Sequence, residues 1–156
     1  MIRPIIEYYP IEYKDSQRCK RYEVLDTENP RQGELAKLLK DNVGVYILYD
    51  SLYKAIYVGK TTRNLLIEIK EALNRSTGAS HSIWVVDHPT RQQAFIPDRE
   101  SKRKIKKSTF LLSHSAYYFS AYAVDRAILN NVEALLIRAF ANHLVNFRRE
   151  SFQFSD

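Results

Sequence analysis

Cysteine is nearly absent from this chain of 156 residues, and the one residue, Cys19, excludes both an internal disulfide framework and a four-cysteine zinc site. Four histidines, His81, His88, His114 and His143, are scattered without ligand-like pairing, so no histidine zinc site is supported. His81 and His114 remain available for acid–base work, a lone surface position being the plainer role. Long hydrophobic runs are missing too: nothing approaches the ~18 apolar residues of a membrane span. The segment from Met1 to Pro10 carries Glu7 and no apolar run of its own, so no signal peptide is visible. Internal repeats, low-complexity tracts, zinc fingers and a helix-turn-helix are likewise not found, which leaves any recognition of base sequence to loops or to a homodimer. These absences predict a soluble, cytoplasmic domain with no membrane partner.

What is present is a globular composition, 45% hydrophobic and 27% charged, in a length that supports one domain with a real core. Lysine and arginine number 24 against 18 acidic residues, a net charge of +6. A basic balance favours a polyanionic partner, because cations gain by displacing counterions condensed on nucleic acid. The charge is concentrated in Arg99, Lys102, Arg103, Lys104, Lys106 and Lys107, a candidate arm along a phosphate backbone or a solvated loop. Tyrosine is abundant, at 11 residues.

Residues 1–42 read as an irregular or strand-containing extension, broken by Pro4 and Pro10 and ending in one helix. Asn29-Pro30 suits a helix start, Asn as the cap and Pro at the first position, with Leu35, Leu38 and Leu39 as its apolar stripe. Val43–Tyr49 and Ala55–Gly59 are β-branched and aromatic, and the short connection between them predicts a hairpin. Thr61 or Thr62 is placed to cap a helix running to about Arg75, with Leu65, Leu66, Ile69, Ala72 and Leu73 inward. Ser82–Val86 suits a short strand, and His88–Lys107 an exposed basic connection. Tyr117–Val124 reads as a third strand, and 125–143 as a helix burying Ile128, Leu129, Val132, Leu135, Leu136, Ala139 and Phe140. Trp84, Tyr117, Tyr118 and Phe119 are expected in the core. The fold predicted is α+β, a small three-stranded antiparallel sheet flanked by helices, with its core over 43–148, a basic insertion at about 87–110 and a tail at 149–156.

The hairpin carries Gly44-Val45-Tyr46 on its first strand and Tyr57-Val58-Gly59 on its second. One Gly-x-Tyr alone carries almost no information, whereas the ordered pair in a short window is far rarer. Together with the helical segment Asn131–Ile137 around Glu133, and Asn146 beyond it, the pair resembles the GIY-YIG nuclease family. The resemblance implies a DNA endonuclease using Mg²⁺ or Mn²⁺ held by Glu133, with Tyr46 orienting or deprotonating water, Tyr57 bonding nearby, and Asn146 in support. Hydrolysis of a phosphodiester needs activated water and neutralised phosphoryl charge. A tyrosine of ordinary pKa, about 10, is a poor base without neighbouring cations or a metal-bound water. The family's helix arginine falls at Ile67 in this chain; Lys60, Arg63, Lys70 or Arg75 could take over its role, each being otherwise an ordinary solvated surface charge. The competing expectation is a nucleic-acid-binding module that keeps the fold without cleaving; a third is an interaction domain whose basic loop meets an acidic protein.

Overall fold

The chain combines strands and helices in a computed structural model that describes residues 1–11, 24–25, 28–74, 81–88, 91–97, 107–108, 111–140 and 144. The order is β1 (Ile2–Pro10), α1 (Pro30–Lys40), β2 (Gly44–Tyr49), β3 (Ala55–Thr61), α2 (Leu65–Leu73), β4 (His81–His88), β5 (Arg91–Pro97), β6 (Lys107–Ser108), β7 (Tyr118–Val124) and α3 (Leu129–Ala139). Single 3-10 turns lie at Leu112–His114 and Arg126–Ile128.

The architecture is α+β, and its main sheet has four antiparallel strands in the order β1-β7-β2-β3, one more than the three expected. The added strand is β1, from the N-terminal extension. Pro4 and Pro10 obscured it in the sequence, yet an edge strand tolerates proline because its outward N–H has no ladder partner to lose. Its pairing with β7 slips between Pro4 and Ile6 and again between Ile6 and Tyr9. A second sheet, β5-β4-β6, occupies much of the stretch read as an exposed basic connection, with Trp84 paired to Ile96 and Val85 to Phe95.

The helix ends follow capping chemistry. Asn29 accepts the Arg31 N–H at 3.1 Å ahead of Pro30. The cap of α2 is Asn64, which accepts the Ile67 N–H at 2.9 Å, rather than Thr61 or Thr62. Thr61 closes β3 instead, its hydroxyl accepting the Arg63 N–H at 3.0 Å. The helix α3 starts later than Asp125, because the Arg126–Ile128 turn precedes it.

Alternation along β2 divides the core into two layers. Tyr46 and Leu48, with Phe119 and Ala121 opposite them on β7, pack under Leu35 and Leu39 of α1 and Leu65, Ile69 and Leu73 of α2. Val45, Ile47 and Tyr49 face the other way, where Val58, Leu129, Leu136 and Phe140 cover them from β3 and α3. All six residues of β2 are buried, which is why its sequence is almost continuously apolar. Phe119 is fully buried and Tyr117 buried, as expected of core residues, whereas Tyr118 is half-buried. Among the described residues no helix is long and apolar enough to cross a membrane.

Two glycines of the hairpin are demanded by close approach. A Cβ at Gly44 would stand 1.8 Å from the Tyr122 carbonyl oxygen on β7, and one at Gly59 would stand 2.2 Å from the Tyr46 ring. The triplets are therefore packing units: β7 backbone presses on one glycine and the Tyr46 ring lies over the other.

Candidate functional site

The strand β3 presents its two faces to different surroundings. Tyr57 and Gly59 pair with Leu48 and Tyr46 on the α1/α2 side, while Lys60 pairs with Val45 on the α3 side. In the order of the sheet β3 is a terminal strand, so both faces meet along its outer edge.

On the α3 side, the Lys60 ammonium sits 2.7 Å from a Glu133 carboxylate oxygen and donates to the Asn130 side-chain oxygen at 2.5 Å. Lys60 and Glu133 were both singled out from sequence, 73 positions apart, and the fold brings them into contact. Their side chains are 30% and 21% exposed, shielded enough to hold an ion pair and open enough for a ligand to reach. The Lys60 contact is made to one of the two Glu133 oxygens. Asn130 was missed in the sequence, although it precedes Glu133 by three residues, one helical neighbour away. Nearby, the Arg126 guanidinium donates to the Thr62 carbonyl at 3.2 Å, tying the turn before α3 to the residue that follows β3.

On the α1/α2 side, the rings of Tyr46 and Tyr57 lie 6.1 Å apart at 33°. Tyr46 is completely buried over Gly59, and Tyr57 is half-buried. The two phenols thus share one face, while Glu133 and Lys60 occupy the opposite one. The four residues gather around the end of the hairpin but do not converge on one open cleft.

The candidate cations divide. Arg63 is exposed and reaches Glu71 at 2.9 Å and Glu68 at 3.2 Å, the two carboxylates raising its already high pKa, Glu71 most. Lys70 is half-buried on α2, and Ile67, at the slot of the family's arginine, is 45% exposed. Asn146, Arg75 and Lys102, Arg103, Lys104 and Lys106 lie outside the described residues, and Lys107 opens β6. Among the described residues no group of three or more histidine, cysteine, aspartate or glutamate side chains gathers as a metal cage. A Mg²⁺ site of one carboxylate completed by waters and phosphate does not need such a group.

A second constellation, of tyrosines, lies at the other end of the hairpin. The Tyr53 and Tyr118 rings stack at 4.4 Å and 20°, Tyr8 lies over Tyr49 at 4.7 Å, and Tyr8 meets Tyr53 edge-on at 6.0 Å. Tyr8 and Tyr53 have φ of 50° and 59°, the only non-glycine residues with positive φ among those described. For bulky residues that conformation costs about 1–2 kcal/mol each. Burial pushes the Tyr49 hydroxyl up to about 12, and it also raises Tyr122, whose hydroxyl donates to Glu7 at 2.7 Å. Nothing in the sequence marked these rings as a group beyond the abundance of tyrosine.

Compared with protein-family models, with curated proteins and with solved structures, the chain matches none.

Proposed function

We propose that this domain is a metal-dependent DNA endonuclease resembling the GIY-YIG family. The contact between Lys60 and Glu133 carries the proposal, since it joins a carboxylate suited to a hard cation with a positive charge suited to phosphate. Glu133, through the oxygen not engaged by Lys60, would hold Mg²⁺ or Mn²⁺. Such an ion supplies neutralisation of phosphoryl charge and a more acidic bound water. Lys60, released from Glu133 when the ion binds, would turn to a phosphoryl oxygen, and Asn130 would keep it in place.

Tyr57, half-buried beside the β3 edge, is the phenol a substrate can reach, whereas Tyr46 backs it from the core. A phosphodiester lying across that edge would meet Tyr57 from one face and Lys60 from the other. Nicking of supercoiled plasmid with Mg²⁺ or Mn²⁺ tests the proposal. Glu133→Ala should abolish it, Lys60→Gln should lower it by about 10²-fold, and Tyr57→Phe should lower it more than Tyr46→Phe. Full activity of Glu133→Ala refutes the assignment.

A second reading, a DNA-binding module without cleavage, draws on the exposed Ile67 in place of arginine and on Arg63 being held by two carboxylates. Steeply salt-dependent DNA binding without cleavage under any divalent ion favours it.

A further inference from the structure

We propose that the exposed rings of Tyr8 and Tyr53 at the loop end of the hairpin, backed by Tyr118 and the buried Tyr49, are a stacking platform for unpaired bases of single-stranded DNA; this rests on the chain acting on DNA.

The backbone is the first argument. Tyr53 occupies the left-handed position of the tight loop between β2 and β3, where the Tyr53 N–H donates to the Asp50 carbonyl at 3.1 Å and the Asp50 N–H to the Lys54 carbonyl at 2.9 Å. Such a position normally takes glycine. Tyr8 lies where β1 slips register, and its N–H donates to the Ser120 hydroxyl at 3.0 Å rather than to a strand carbonyl. Bulges of this kind re-aim a side chain. Two separate glycine-like positions therefore hold tyrosine, and both rings are turned into one group.

Exposure is the second argument. Tyr8 is 51% exposed and Tyr53 55%, with Leu52 at the loop tip 62% exposed beside them. Rings that only filled a core would not be this open. Tyr118 already lies stacked on Tyr53, the ring centroids 4.4 Å apart and the planes 20° from parallel. Aromatic faces of this sort accept any base, because every base has a π-face.

Charge and position make the occupant DNA. Within the loop from Asp50 to Lys54, Asp50 is buried with one oxygen accepting the Leu52 and Lys54 N–H groups, and Lys54 is the exposed charge. The nearest β1 carboxylate, Glu7, is engaged by Tyr122. Tyr49 and Lys60 belong to the same face of the sheet, and Tyr49 lies four residues along β2 from Val45, the partner of Lys60. At about 3.4 Å per residue that is roughly 14 Å, the reach of a few nucleotides.

The test is fluorescence anisotropy of a labelled short oligothymidylate, with a duplex of mixed sequence beside it, on the full chain. Tyr8→Gly, Tyr53→Gly and the double variant delete rings while relieving positive φ, so they retain the fold, which circular dichroism checks. Oligothymidylate affinity should fall at least about tenfold in the double variant, duplex affinity should hold, and Tyr53→Trp should restore single-strand binding. Unchanged oligothymidylate affinity in the double variant, or no oligothymidylate binding by the natural chain at low salt, overturns the proposal. Plasmid nicking run in parallel separates the two proposals. Tyrosine-dependent binding without cleavage removes only the nuclease, and cleavage with tyrosine-independent single-strand binding removes only the platform.

Discussion

The Tyr46 ring and Gly59 form a coupled pair, and their coupling is measurable. Gly59→Ala places a Cβ within 2.2 Å of the ring, and the expected loss is about 1–3 kcal/mol by urea denaturation. In a Tyr46→Ala background, where the ring is gone, the same change should cost close to nothing; an additive cycle would show that the contact is not the cause. Gly44→Ala should cost more than Gly59→Ala in the natural chain, because its obstacle is a β7 carbonyl rather than a side chain. Tyr49 gives a pH prediction at the same scale. Its folded pKa of about 12 exceeds the unfolded value of about 10. The folded chain therefore keeps this proton when the unfolded chain loses it. Stability from Tyr49 is complete below pH ~10 and is lost as the pH rises toward ~12. Tyr49→Phe should flatten the decline in unfolding free energy over that window.

Among the elements, β1 has the largest structural consequence for the least obvious sequence. It covers the edge of β7, and Ile6 and Tyr9 pack against the Phe119 layer. Deleting residues 1–10 should lower the urea midpoint and cause self-association visible by light scattering, since β7 would become an open edge. The central hairpin and the three helices were legible because β2 is apolar throughout and α1, α2 and α3 each carry a one-sided stripe, although Leu38, Leu135 and Ala139, expected to face inward, are exposed. The cap of α2 was not, because Thr61, Thr62 and Asn64 all have the chemistry of a cap and only the turn after β3 selects Asn64. β1 was legible only as an irregular or strand-containing stretch: its prolines and slipped register break the alternation by which strands are recognised. Of the candidate site, the family resemblance named Glu133 and left Lys60 as one of four alternative cations; these two touch. It did not separate the faces of β3, since that separation depends on register with β2.

For the molecule as a whole, a charge of +6 and the proposed DNA partner predict binding that weakens steeply with salt. On duplex DNA the logarithm of affinity should fall with the logarithm of salt at about −0.9 per phosphate neutralised. Lys60→Gln should make that slope shallower by about one such contact if its ammonium meets phosphate, and leave it unchanged if Lys60 serves only Glu133. Oligothymidylate binding should show a weaker salt slope than duplex binding, because stacking on tyrosines releases no counterions.

The ring lodged above a missing side chain also bears on how such chains diverge. Positions 46 and 59 are coupled: a methyl gained at 59 is least costly beside a smaller residue at 46, and a bulky residue at 46 favours hydrogen at 59. The fit of ring to glycine is needed by the hairpin whatever chemistry the chain performs. The paired triplets therefore testify first to a way of folding, and a descendant's chemistry has to be sought in the side chains around them.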